Sequence, residues 1–148
     1  IEKTTHAGEI GLCNLTSINI MSWINLNVDE KDKMIYNLLL ASDNMIQEQF
    51  YPVPEGEISN KLRRPIGIGV SNYANYLAEN EVKWDSVEAK KLTHELFEDI
   101  SYFILKNSNV LAKERGSYQK FNESNWAKGI LPMDLYKLKN DKISRLYL

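Results

Sequence analysis

Glu9-Ile10-Gly11-Leu12-Cys13-Asn14-Leu15-Thr16-Ser17-Ile18-Asn19-Ile20 is the stretch on which the fold turns. Apolar and β-branched residues fall on both sides of its alternation, and no helical stripe develops. That pattern predicts a buried strand over residues 9–20, of the kind found inside parallel sheets. Asn14, Thr16, Ser17 and Asn19 are foreign to a plain core strand. Buried polar groups need partners, so the strand is expected to border a site or a polar network.

A second strand is expected at Pro65-Ile66-Gly67-Ile68-Gly69-Val70, with Ser71 capping a helix that runs to about Asn80. Strand followed directly by helix is the α/β pattern. Between the two strands, residues 30–50 predict a helix capped by Asp29. Met34, Ile35, Leu38, Leu39, Ser42, Met45, Ile46 and Phe50 share one face of it. Tyr51-Pro52 ends that helix, because the residue before proline avoids the helical region. Pro52 to Gly56 reads as a connecting turn.

The longest helix is expected to start at Asp85, with Glu88 completing a capping box. Its buried face is marked by Leu92, Leu96, Ile100, Phe103, Ile104 and Leu111, and Gly116 closes it. A helix of roughly 30 residues is about 45 Å long. That length suits a piece of something larger. Residues 119–122 and 128–132 read as loops, Ser124 as the start of a short turn, and Met133 to Lys139 as a further helix. The class is α/β, helix-rich, with no internal repeat or low-complexity tract.

The chain has 148 residues, 43% apolar and 26% charged, with a net charge of -2. This is a soluble globular balance without a basic surface for nucleic acid or a face for membranes. Charged residues break every apolar run short of the roughly 18 needed to span a bilayer. Ile1-Glu2-Lys3-Thr4 does not open a secretory signal. One cysteine cannot form an intrachain disulfide, so a reducing, cytoplasmic setting is expected. Asn14-Leu15-Thr16 and Asn122-Glu123-Ser124 have the form of glycosylation triplets, which carry little without a secretion signal. The ends, a non-Met start and an apolar Leu146-Tyr147-Leu148 finish, read as cuts.

Cys13 is the sharpest chemical feature. A lone cysteine in an apolar strand is usually a small buried hydrophobe. The polar company of Asn14, Thr16, Ser17 and Asn19 argues against that plain role. Gly67-Ile68-Gly69 looks like the start of a dinucleotide fingerprint, but Asn72 holds the third glycine's place and the glycines lie inside the strand. Close backbone packing is the better reading. His6 and His94 have no partners at metal spacing. Trp23, Trp84 and Trp126 are scattered packing anchors. Lys61, Arg63 and Arg64 form a basic cluster expected at a solvated edge or an intersubunit contact, with phosphate binding a minority reading.

Taken together, Glu9 to Ser17 with Asn19 resembles the strand of class I ribonucleotide reductase large subunits that carries one of the paired redox cysteines. Tyr51-Pro52-Val53-Pro54, then Arg63 to Val70 with Asn72-Tyr73-Ala74 and Tyr76-Leu77-Ala78, are similar to later blocks of that family in the same order. So are Leu111 to Gly116 and Ala127 to Pro132. The resemblance implies a fragment of a ten-stranded α/β barrel with short buried strands and long helices. It implies ribonucleoside-diphosphate reduction by thiyl-radical chemistry, with Cys13 as the redox-active second member of a cysteine pair whose partner is absent from this chain.

The family's Asn-x-Cys-x-Glu radical loop, phosphate-binding loop, radical-path tyrosines, C-terminal cysteine pair and ATP-binding region are also absent from the sequence. Residues 1–148 are therefore expected to be part of one catalytic barrel domain, truncated at both ends and inactive alone. No cofactor or metal is expected to be bound by this fragment. The implied partners are the remainder of the large subunit, a small radical-generating subunit, thioredoxin or glutaredoxin, a ribonucleotide substrate and nucleotide effectors. The intact subunit is expected to be a homodimer. The competing reading is a non-catalytic helical interaction domain with a structural cysteine.

Overall fold

The computed structural model describes residues 8–131. Strand β1 (Asn14–Asn19) pairs in parallel with strand β2 (Ile66–Ser71), with Asn14 opposite Ile66 and Asn19 opposite Ser71. Parallel neighbours require a crossover rather than a hairpin. Here the crossover is helical: α1 (Ile20–Trp23), α2 (Val28–Glu48) and α3 (Pro54–Arg63). After β2 come α4 (Tyr73–Glu79), α5 (Val87–Arg115) and a 3-10 turn at Phe121–Glu123. The described residues are thus helix-rich α/β, with two strands.

Several boundaries differ from the sequence reading. Strand geometry covers only Asn14–Asn19, because Asn19 accepts a hydrogen bond from Met21 N and starts α1 at Ile20. Helix α2 is capped by Asn27 rather than Asp29. Asn27 and Glu30 form the reciprocal capping box, Asn27 Oδ1 accepting from Glu30 N and Glu30 Oε2 from Asn27 N. Ser71 closes β2, and Asn72, at φ 66°, holds the N-cap position of α4 without a side-chain capping bond, its amide donating to Asn19 Oδ1 instead. Ser86, not Asp85, caps α5 by accepting from Ala89 N at 3.0 Å.

The turn expected at Pro52–Gly56 instead opens α3 at Pro54. A proline in the first helical turn gives up only an N–H that had no intrahelical partner. Gly116 closes the 29-residue α5 at φ 86°, as expected. The proposed helix at Met133–Lys139 lies outside the described residues.

The core gathers Ile18, Ile20 and Trp23 against Ile35 and Leu39 of α2 and Leu96, Ile100, Phe103 and Leu111 of α5. Trp23 packs edge-on against Phe103, ring centres 5.6 Å apart. Its Nε1 donates to Asp99 Oδ2 at 3.0 Å, so burying the indole leaves no donor unmet. Lys31 Nζ binds the same oxygen at 2.7 Å and lies over the indole ring. Met45 and Phe50, placed on the apolar stripe by spacing, are exposed, Phe50 by 87%. Helix α2 ends at Glu48, so Phe50 never joins the helical face.

Candidate functional site

The helices cover one face of the sheet. Along β1, Asn14 and Ile18 are buried and Thr16 half-buried, while Leu15, Ser17 and Asn19 are exposed. Along β2, Ile66, Ile68 and Val70 are packed against the core, and the register sets Gly67, Gly69 and Ser71 beside Leu15, Ser17 and Asn19. Side chains on a strand alternate between faces. Cys13 therefore joins the open set, and it is exposed. This corrects the expectation of a strand buried on both faces, and removes the reading of Cys13 as a small buried hydrophobe. Among the described residues, helices cover one of the sheet's two faces.

Residues 9–13 are irregular and are held in place by α3. Ile10 N donates to Glu55 O at 3.2 Å, and Arg63 is ion-paired with Glu9. Gly56 brings α3 close: a Cβ there would come within 2.7 Å of Leu12 Cδ1. The segment entering Cys13 is thus positioned by α3, whose first residues, Pro54 to Gly56, read as part of a turn in the sequence.

Just beyond the thiol, Asn14 anchors the start of β1. Its backbone N donates to Pro65 O at 3.3 Å. Its side-chain amide forms a reciprocal pair with Gln49, both bonds 3.2 Å. Asn60 Nδ2 approaches Asn14 Oδ1 at 3.3 Å and donates to the Tyr51 hydroxyl at 2.7 Å, and that hydroxyl donates to Ile46 O. This is the polar network that the strand's composition predicted. Its partners Gln49, Tyr51 and Asn60 lie 35 to 46 residues from Asn14, and no local pattern in the sequence links them to it. The buried, bonded amide also closes the Asn14-Leu15-Thr16 triplet to modification in the folded chain.

On the open face, Gly67 lies beside the sulfur. A Cβ at Gly67 would stand 3.3 Å from Cys13 Sγ and 2.6 Å from Leu15 Cδ2. Within the Gly-Ile-Gly run, Gly67 is closely packed in the strand, whereas Gly69 has only an ordinary contact, 3.7 Å, to Thr16 O. The thiol itself makes only a long contact, 3.7 Å, to Asn14 O. It is not tied into the polar network, and remains open to a reactant.

The basic cluster is spent on carboxylates. Lys61 pairs with Glu57 at 2.6 Å, Arg63 with Glu9, and Arg64 Nε with Asp43 Oδ1 at 2.6 Å. Arg115 of α5 takes the other Asp43 oxygen at 2.8 Å. Burial pushes the Asp43 carboxyl up, but hydrogen bonds and charge from Arg64 and Arg115 outweigh it and hold its pKa below the ordinary value. Asp43 thereby links α2 to the ends of α3 and α5. Lys61, Arg63 and Arg64 are each ion-paired within the chain while staying partly exposed.

His94 is exposed on α5, 3.9 Å from Glu98, and no group of metal-binding side chains exists among the described residues. His6 lies outside them. Trp23 is a buried anchor, Trp84 stacks edge-on against Tyr73 while largely exposed, and Trp126 is also exposed. No described helix is long and apolar enough to cross a membrane.

Among the described residues, a parallel strand pair carries helices on one side and an exposed thiol on the other, which is a helix-rich α/β arrangement. The family described as ribonucleotide reductase, barrel domain, matches residues 1–146. Over 138 residues the chain is 44% identical to the ribonucleoside-diphosphate reductase subunit alpha of Haemophilus influenzae, covering 93% of this chain and 18% of that protein. The enzyme of the same name from Enterobacteria phage T4 is 40% identical over 136 residues, 92% of this chain and 18% of its own length. The alpha subunit of the Actinobacillus ureae class Id ribonucleotide reductase superposes with a TM-score of 0.67 at 23% identity, over 78% of this chain and 23% of that one. This chain belongs to the ribonucleotide reductase family, within its barrel domain. It spans about 18% of the length of the curated relatives it matches.

Proposed function

We propose that residues 1–148 form part of the catalytic barrel of a ribonucleoside-diphosphate reductase large subunit, in which Cys13 is one of two thiols that reduce the substrate. The observation that carries this is the exposed Cys13 thiol on the uncovered face of a parallel sheet, in a chain with 44% identity to a named subunit alpha. Replacing a ribose hydroxyl by hydrogen consumes two electrons. Two thiols supply both: their S–H bonds are lost, one S–S bond forms, and the hydroxyl leaves as water. An external dithiol then restores the pair by exchange.

The chain holds one cysteine, so a disulfide requires a second sulfur from elsewhere in the subunit, and the chain by itself is inactive. The uncovered sheet face is where the remaining strands of a ten-stranded barrel would bring that sulfur. Turnover further calls on a small radical-generating subunit to initiate thiyl chemistry, a thioredoxin or glutaredoxin as reductant, and nucleotide effectors. A cytoplasmic homodimer fits this chemistry.

The test is deoxyribonucleotide formation by the complete subunit, wild type beside Cys13→Ser. The serine variant is expected to fold and bind nucleotide, and to lose at least about a hundredfold of multiple turnover with a dithiol reductant. Normal turnover by the serine variant overturns the catalytic role of Cys13.

A further inference from the structure

We propose that Gly67 determines access to the Cys13 thiol: with no side chain of its own, it leaves the β2 side of the sulfur bordered by the exposed, movable Leu15, which a disulfide- or thiol-bearing reactant can displace. Three observations converge. Cys13 is exposed and lies on the open face. A Cβ at Gly67 would enter the space beside Sγ, at 3.3 Å, and collide with Leu15 Cδ2 at 2.6 Å. Leu15, 75% exposed, can swing outward, but the methyl group would stay against the sulfur. Gly69, two residues along the same face, has only Thr16 O near its Cβ position, at 3.7 Å, which is an ordinary contact. The requirement for glycine is therefore specific to position 67. Gly67 adopts ordinary strand backbone within β2, so its demand is for space and not for an unusual dihedral.

The consequence for turnover rests on the reading of Cys13 as a redox thiol, but the access itself can be measured without turnover. Cys13 is the sole cysteine of the 148-residue chain, so its thiol chemistry reads out directly. With dithiobis(nitrobenzoate), the Cys13 thiolate attacks one reagent sulfur. A bond forms between Sγ and that sulfur, the reagent S–S bond breaks, and nitrothiobenzoate leaves with the electron pair. Methyl methanethiosulfonate delivers a methylthio group by the same displacement, with methanesulfinate as the leaving group, and is far smaller.

Gly67→Ala is expected to slow the aromatic reagent about tenfold and the small one less than about threefold, with the pH midpoint of the rate unchanged. Gly69→Ala is expected to stay within about twofold of wild type for both reagents. Should Gly67→Ala fail to fold by circular dichroism, Leu15→Ala/Gly67→Ala, compared with Leu15→Ala, removes the collision and keeps the methyl group beside the sulfur. Unchanged rates with Gly67→Ala, equal slowing by both reagents, a shifted pH midpoint, or equal slowing by Gly69→Ala each overturn the assignment. In the complete subunit, normal turnover by Cys13→Ser would sink the redox reading while leaving the reagent result intact.

Discussion

The two faces of the β1–β2 sheet are built from the same strands and follow opposite rules. On the covered face, Ile18, Ile66, Ile68 and Val70 meet α2 and α5, and Asn14 is fixed by Gln49 and Asn60. On the open face, Cys13, Leu15, Ser17 and Asn19 stand beside Gly67, Gly69 and Ser71. The covered face supplies rigidity through apolar burial and the amide bonds of Asn14, Gln49 and Asn60, with Asn60 Oδ1 the one buried side-chain oxygen left unpaired among the described residues. The open face supplies a thiol and the space around it. A reacting sulfur needs both: strand ends that do not move, and a side without packed neighbours.

The contrast is broken most directly from the covered side. Trp23→Ala would remove a fully buried indole together with its edge contact to Phe103 and its bond to Asp99. The expected loss is about 3–5 kcal/mol, read from the urea midpoint. A loss below about 1 kcal/mol would mean that this side of the sheet is not the stability-bearing one.

Next in size is the Asp43 node behind the sheet. Asp43→Asn would keep the shape but remove the charge that holds Arg64 and Arg115, and should cost about 1–3 kcal/mol at neutral pH, reduced by the partial exposure of Arg115. Because the folded-state pKa of Asp43 is lowered, its stabilisation is fully present above the ordinary value of 3.8 and is lost as pH falls through the depressed one. The gap between wild type and Asp43→Asn should therefore narrow progressively below about pH 4. A gap that is constant from pH 7 to pH 3 would remove the electrostatic account.

The smallest effect belongs to the open face. Leu15→Ser should alter stability by less than about 0.5 kcal/mol, because the leucine is already 75% exposed. Thermal unfolding of the two chains side by side measures this. A loss comparable to that of Trp23→Ala would show that the face regarded as open is covered in solution.

Much of the architecture was legible because it is local. The stripe at Ile35, Leu39 and Ile46, the face at Leu96, Ile100, Phe103 and Leu111, and the closing Gly116 all follow from helical spacing and capping. The misreadings are also physical. Pro52 and Pro54 suggested a break, yet Pro54 sits where a helix tolerates proline, so α3 was missed. Asp29 and Asp85 are sound caps by residue type. Asn27 and Ser86, two residues and one residue away, won because their oxygens reach the free backbone N–H groups.

The sequence by itself determined the α/β class, the two strands, the long helices and, through collinear blocks, the family. These depend on periodicity, capping and order along the chain. Only the tertiary structure decided which sheet face is open, that Cys13 is exposed on it, that Asn14 is bonded to residues far along the chain, and that Gly67 lies beside the sulfur. A strand that places apolar or β-branched residues on both sides gives no signal for which side its neighbours will cover. Packing settles that, because α2 and α5 can bury their apolar stripes against one face of the pair and leave the other bare.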